Sequence, residues 1–141
     1  MQTREIQLSE IFSIFEIFKI INEEITYSDF EDAIYQMNKE YYKFHGIYEN
    51  EKIIAFCITR LSYNLKYKRY LHVDELYIMD QYCNQQYYNE ILNYLIDYAK
   101  INLCKSLNIS TPNKEENMIR VMLKENFAKE GKYKETYTRI L

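Results

Sequence analysis

The stretch His72-Val73-Asp74-Glu75-Leu76-Tyr77-Ile78-Met79-Asp80-Gln81-Tyr82-Cys83-Asn84-Gln85-Gln86-Tyr87-Tyr88 decides the fold of this chain. Its first half belongs to a run from Tyr70 to Met79, rich in aromatic and aliphatic side chains and without a helical period, which predicts a long strand. Its second half opens a different pattern. Tyr88, Ile91, Leu92, Leu95, Ile96, Ala99 and Leu103 recur at intervals of three and four, which predicts one helix over 85–103. The period changes between Met79 and Gln85, so a strand feeds a helix through a short polar loop. Ser106 to Ser110 reads as a further strand, completing a strand–helix–strand crossover.

Upstream, residues 4–8 alternate and predict a first strand. Ser9 is a candidate cap for a helix running to about Glu24. Ile11, Ile14, Phe15, Phe18 and Ile21 follow helical spacing there, and Phe12, Ile17 and Ile20 make it apolar over more than one stripe. Such a helix is either deeply buried or a partner surface. Ser28 and Glu31 have capping-box spacing before a second helix with Phe30, Ile34, Met37 and Tyr41 on one face. Lys43–Tyr48 and Lys52–Leu61 then read as two strands joined at Glu49-Asn50-Glu51, a hairpin turn, and the polar segment Asn64–Arg69 leads into the decisive stretch.

Downstream, Pro112 and Asn113 stop the short strand and start a helix, with Asn113 as cap and Glu116 at the capping-box position. Ala128–Tyr133 and Thr136–Ile140 read as two closing strands. The element order β-α-α-β-β-β-α-β-α-β-β predicts an α/β (α+β) fold with a mixed sheet flanked by helices, in one domain spanning residues 1–141.

The composition limits the partners. A net charge of −3 gives no broad attraction to phosphate backbones, which argues against nucleic acid. Lys66, Lys68 and Arg69 form a local patch or a solvated turn. Cys57, Cys83 and Cys104 are far apart, with no CxxC pair and no metal-ligand spacing to His45 or His72, so no metal is expected and the usage suits a reducing, cytoplasmic compartment. The apolar stretch Ile11–Ile21 is interrupted by Ser13, Glu16 and Lys19 and is too short to span a membrane. The 16 tyrosines, against only 2 glycines and 1 proline, accompany abundant Ile, Lys and Asn, the bias of an AT-rich genome. Tyrosines in such a chain read first as half-buried packing.

Several segments together resemble the GNAT acetyltransferases. His72–Ile78 is similar to that family's central fourth strand, and the helix with Leu92, Leu95 and Ala99 follows it in the expected place. Ile53-Ile54-Ala55-Phe56 resembles the family's third strand, and Leu123–Gly131 resembles its "xKxGFxxEG" ending. The resemblance covers nearly the whole chain. It implies a mostly antiparallel central sheet with helices on both faces, and transfer of an acyl group from acetyl-CoA to a small-molecule or peptide amine.

The resemblance also implies site residues. The backbone of Leu76, Tyr77 and Ile78 would hold the pantetheine arm. The family's Arg-x-x-Gly-x-Gly/Ala loop, whose amides cradle the pyrophosphate, falls on Cys83, Asn84, Gln85, Gln86, Tyr87 and Tyr88. Cys83 stands at the Arg position, Gln86 at the first Gly and Tyr88 at the last Gly/Ala. The position of the family's proton-donating Tyr is Met122, which has no proton to give, and its Asn position is Glu115, with Asn113 and Asn117 nearby. Glu75 lies where some relatives place a base, with His72 and Asp74 expected on the opposite face of the strand. Tyr82 and Tyr87 are the nearest replacement acids, Tyr82 being the expected catalytic one. Cys83 is either a reactive thiol at a helix N-terminus or an ordinary one. The expected function is therefore N-acyl transfer with weak acetyl-CoA binding. The alternative is a catalytically silent module of this fold that binds a protein or another small ligand. A homodimer through the apolar first helix is a further expectation.

Overall fold

The computed structural model describes residues 1–19, 22–110, 116–130 and 136–141. Its elements are β1 (Gln2–Glu5), α1 (Leu8–Ile11), a 3₁₀ turn (Phe12–Ile14), α2 (Phe15–Phe18), α3 (Tyr27–Lys39), β2 (Tyr42–Glu49), β3 (Lys52–Asn64), β4 (Lys68–Ile78), a second 3₁₀ turn (Asp80–Tyr82), α4 (Gln85–Ile101), β5 (Ser106–Ser110), α5 (Glu116–Lys124), β6 (Ala128–Glu130) and β7 (Thr136–Ile140). One seven-stranded sheet runs in the order β1-β2-β3-β4-β5-β7-β6. Every pairing is antiparallel except β4 with β5, which the α4 crossover makes parallel.

Two cores form on the two faces. One holds Leu71, Val73, Leu107 and Ile109 of the central strands against Tyr88, Ile91, Leu92 and Leu95 of α4 and Met118, Val121 and Met122 of α5. Each fully buried Leu or Ile here contributes about 1.5–3 kcal/mol relative to exposure. The other packs α1, α2 and α3 through Ile11, Phe18, Phe30 and Ile34 onto Phe44, Phe56 and Ile58. Its phenylalanines form a connected set: the Phe18 ring lies 5.1 Å from Phe30 and 4.4 Å from Phe56, and Phe12 meets Phe30 edge-on at 6.3 Å. The apolar N-terminal helices are thus engaged within the chain.

Several boundaries differ from the sequence expectation. β1 ends at Glu5 rather than continuing to residue 8: the Ile6 amide still donates to Phe44 at 2.7 Å, after which Gln7 caps α1. Arg4 fixes that start by gripping Glu10 through two nitrogens at 3.1 and 2.9 Å. The helix expected from Ser9 is split by the 3₁₀ turn at Phe12–Ile14, because a segment apolar on all sides has no single face to keep in register. The cap of α3 is Thr26, whose Oγ1 accepts from the Asp29 amide at 3.1 Å, and not Ser28. Tyr41 falls beyond α3, is 80% exposed and has φ 66°, so it does not share the face of Phe30 and Ile34. Leu103 likewise lies past α4, exposed, with φ 61°. β3 runs three residues further than expected and β4 begins at Lys68, so the polar turn shrinks. β6 is described only to Glu130, and the cap Asn113, together with Glu115, lies outside the described residues.

Gly46 shows where the chain keeps one of its two glycines. A Cβ there would come within 2.8 Å of the Tyr48 ring and 3.0 Å of methyls of Ile53 and Ile6.

Candidate active site at the fork of the sheet

β4 and β5 are paired only over Tyr70↔Ser106 to Val73↔Ile109. Beyond Val73 the segment Asp74–Ile78 is laddered to β3 alone among the described residues. The two parallel strands therefore part at Asp74, and over Asp74–Ile78 one edge of β4 is left without a partner strand among the described residues.

The parting coincides with a bulge. Thr59 pairs with Val73 and Ile58 with Glu75, leaving Asp74 as an extra residue in β4. The extra residue shifts the alternation. Leu71 and Val73 face the α4 core, and so do Leu76 and Ile78, an odd set followed by an even one. Tyr77 points the other way, its ring 5.7 Å from Phe56 in the α3 core.

Glu75 shares that second face, opposite Ile58. His72 and Asp74 were expected on the opposite face from Glu75. The bulge puts them on the same one: His72 pairs with Arg60, whose guanidinium lies 5.0 Å over the Tyr42 ring, and Asp74 Oδ1 accepts from His72 Nε2 at 2.9 Å. Burial, and then the neighbouring Asp74 carboxylate, raise the Glu75 pKa, the direction a neutral-pH base requires.

The loop after β4 is organised by its own side chains. The Cys83 thiol donates to the carbonyls of Ile78 and Met79, both at 3.6 Å. Asn84 caps α4, its Oδ1 accepting from the Tyr87 amide at 3.2 Å. One of the amides at this helix start is thereby already occupied, while those of Gln85 and Gln86 open the helix. Tyr82 and Tyr87 meet edge-on at 5.3 Å, and the Tyr87 hydroxyl donates to Glu49 at 3.3 Å. Burial, followed by the Glu49 carboxylate, raises the Tyr87 pKa. Tyr88 is only 1% exposed, so its side chain is a member of the α4 core. Met122 is fully buried and offers no proton donor.

Sequence reasoning missed two cations here. A cavity of about 290 Å³ between the start of α4 and the side of α5 is lined by Cys83, Asn84, Gln85, Arg120, Val121 and Lys124. Arg120 and Lys124 are four apart on α5 and so share a face, a spacing visible in the sequence. They bring positive charge to the helix start whose own loop lacks the arginine.

The comparisons with known proteins agree with this geometry. Residues 8–127 match the model of the acetyltransferase (GNAT) family, and the chain belongs to that family. No curated protein matches it by sequence. It is similar in structure to a ribosomal-protein-alanine N-acetyltransferase from Brucella melitensis, with 10% identity, 100% of each chain covered and a TM-score of 0.75. It is also similar to a ribosomal-protein-S5-alanine acetyltransferase from Vibrio fischeri, with 16% identity, 99% of this chain and 92% of that one covered and a TM-score of 0.73. A spermidine N-acetyltransferase chimera from Vibrio cholerae and hSSAT has 10% identity, 99% and 96% coverage and a TM-score of 0.72. At such identities the likeness is one of fold. Among the described residues no helix is long and apolar enough to cross a membrane.

Proposed function

We propose that this chain transfers an acetyl group from acetyl-CoA to an amine at the fork between β4 and β5. The observation that carries the reading is the coincidence of three features. These are the unpaired edge of Asp74–Ile78, the cavity at the start of α4 with Arg120 and Lys124 on its wall, and Glu75 beside the fork with a raised pKa. The backbone of Leu76, Tyr77 and Ile78 would hold the pantetheine amides. The amides of Gln85 and Gln86, with Arg120 and Lys124, would hold the pyrophosphate. Acetyl-CoA supplies an activated acyl carbon. The amine nitrogen bonds to that carbon, the carbon–sulfur bond breaks, and the sulfur leaves as thiolate or thiol. Glu75 takes the proton that the amine loses. Tyr82, or Tyr87 released from Glu49, is the candidate donor to sulfur, since Met122 is none. The reaction is one of a reducing, cytoplasmic enzyme acting on a small-molecule or peptide amine.

A second reading, a catalytically silent module, is favoured by two contacts: the Asn84 cap occupies the Tyr87 amide, and Glu49 stands beside that residue. Both features weaken an anion site, so the affinity for acetyl-CoA is expected to be modest, micromolar or weaker, about −8 kcal/mol or less in magnitude. Calorimetry with acetyl-CoA on the unmodified protein and on Arg120→Ala separates the readings. Acyl transfer predicts measurable binding that weakens about tenfold in the variant. Absence of binding at millimolar acetyl-CoA favours the silent module. Nanomolar binding would show that the loop residues had been misjudged.

A further inference from the structure

The hairpin that joins β3 to β4 runs past the strands on either side of it. β2 reaches only to the pair Tyr42↔Arg60, and β5 joins β4 only from Tyr70↔Ser106 onward, so the rungs Tyr63↔Arg69 and Asn64↔Lys68 project as a two-stranded ribbon. Its turn has a fixed shape: Asn64 Oδ1 accepts from the Tyr67 amide at 2.7 Å, and Lys68 takes φ 58°. At the apex Leu65 is 100% exposed, and Tyr63 behind it is mostly exposed. The ribbon is braced from the side of α4. Arg69 Nε donates to the Asn102 carbonyl at 2.7 Å, and the Lys105 amide donates to the Arg69 carbonyl at 2.7 Å. These bonds bring the end of α4 and the turn after it alongside, where Ile101 and Leu103 are also mostly exposed. The cations gather in the same place. Lys66, Lys68, Arg69, Lys100 and Lys105 are all exposed, and the chain holds no Asp or Glu from Lys52 to Val73 or from Tyr98 to Ser110. Lys68, Lys100 and Lys105 form no ion pair among the described residues.

We propose that this end of the molecule docks on an anionic lipid surface, with Leu65 entering the headgroup boundary and the surrounding lysines and Arg69 meeting lipid phosphates. Apolar side chains left together in water mark an interaction surface, whereas single ones do not. The order of side chains along the ribbon is the order of depths in a membrane interface. An aliphatic apex comes first, tyrosines with a polar tip come next, and cations stand around them. The charge fits one partner. The whole chain carries −3, so its acidic groups lie elsewhere, and the field of the molecule turns this end toward a negative surface. A second copy of the chain fits poorly, because a two-fold contact through this end sets cations against cations. A single-stranded nucleic acid would use the cations and Tyr63, but Leu65, Ile101 and Leu103 have no ring face on which a base could stack. The surface lies at the far end of β4 from the fork, about 20 Å from Asp74 at the rise of an extended strand. Docking therefore leaves the fork open, and the inference stands whether or not the chain transfers acyl groups.

The test is co-sedimentation of the unmodified protein with vesicles. One set is phosphatidylcholine alone, and the other carries about 30 mol% phosphatidylglycerol. The anionic vesicles are expected to bind at least tenfold more tightly, and that preference should fall as NaCl rises from about 0.1 M to about 0.5 M. Leu65→Ser removes an apolar group that touches nothing in the fold and should weaken binding about tenfold. Lys68→Glu combined with Lys105→Glu should weaken it about tenfold or more, with the far-ultraviolet circular dichroism of both variants unchanged. No binding to anionic vesicles, or equal binding to the two sets, overturns the proposal. So does binding that survives both variants. Two parallel measurements catch the other occupants. Fluorescence anisotropy with a single-stranded oligouridine overturns it if the RNA binds more tightly than the vesicles and Leu65→Ser has no effect on that binding. Sedimentation equilibrium overturns it if the chain is a dimer that Leu65→Ser dissociates.

Discussion

His45 makes a quantitative prediction about pH. It sits in β2 with no exposure, its Nδ1 2.7 Å from the Tyr94 hydroxyl and its Nε2 2.8 Å from Thr59 Oγ1. Both hydroxyls can turn to donate or accept, so protonation does not break these bonds. The cost comes first from desolvating the imidazolium and next from nearby Lys43, and together they lower the pKa from 6.5 to about 4. The sign follows from proton counting. Between pH 6.5 and pH 4 the unfolded chain holds a proton on this histidine that the folded chain refuses. Stability is therefore complete above pH 6.5 and falls as pH drops toward 4. Between pH 8 and pH 5 the loss is about 2 kcal/mol, a large share of the ~5–15 kcal/mol of a typical domain. Glu75 works in the opposite sense, because a raised carboxyl pKa favours the folded state on acidification. Urea unfolding followed by circular dichroism at pH 8, 7, 6 and 5 measures the effect as a change in midpoint at constant slope. His45→Gln should be less stable at pH 8 by about 1–3 kcal/mol, from lost or strained hydrogen bonds, and should lose most of the pH dependence. Parallel pH curves for the unmodified protein and His45→Gln would refute the reasoning.

Gly46→Ala inserts a methyl against Tyr48, Ile53 and Ile6 and is expected to cost about 1–3 kcal/mol, read by the same urea titration. Cys83→Arg combined with Gln86→Gly brings the loop toward the family's pattern while leaving the fully buried Tyr88 in place, and should tighten acetyl-CoA binding about tenfold or more by calorimetry. Adding Tyr88→Gly to that pair should instead destabilise the fold by ~3–5 kcal/mol, since Tyr88 is a buried core residue. If acyl transfer is measurable, Glu75→Gln should lower turnover by ~10²-fold or more, and the remaining rate should lose its rise with pH. The rise belongs to a base that works only when ionised, above its raised pKa. An unchanged rate removes Glu75 from the mechanism.

Much of the fold is legible in the sequence because α4 and β5 obey one period each. The buried face Tyr88, Ile91, Leu92, Leu95, Ile96 and Ala99 is the periodic set, and β5 is Ser106–Ser110 as the pattern predicts. The failures have physical causes. Thr26 and Ser28 are both good caps, and only the backbone turn decides which oxygen meets the third amide. The helix after β1 is apolar on every side, so periodicity says nothing about where it breaks. Arg120 and Lys124 escaped notice because attention to the loop that normally carries the charge hides a charge supplied by another helix, and sequence distance does not report that approach.

The bulge at Asp74, by contrast, was written in the sequence and overlooked. Leu71 and Val73 are two apart, then Leu76 and Ile78 are two apart, but the step between the pairs is three. A strand of strict alternation cannot keep all four on one face. Without an extra residue, Glu75 and Tyr77 would turn into the α4 core while Leu76 and Ile78 turned out. Burying a carboxylate among Leu92, Leu95 and Ile109 costs several kcal/mol or forces its protonation. Inserting one residue costs a local disruption of the ladder. The bulge is the cheaper solution, so the apolar spacing of the core imposes it. Its consequences then arrive together at one place. The bulged strand bends, and its pairing with β5 ends at the residue before the bulge. Asp74, extra to the ladder, swings toward His72 and Tyr42, and Glu75 comes to the open face beside it. The fork, the acid pair and the free backbone edge are therefore not three separate adaptations to a ligand. They are one response to the core pattern, which explains why the fork forms here whatever residues the loop beyond it carries.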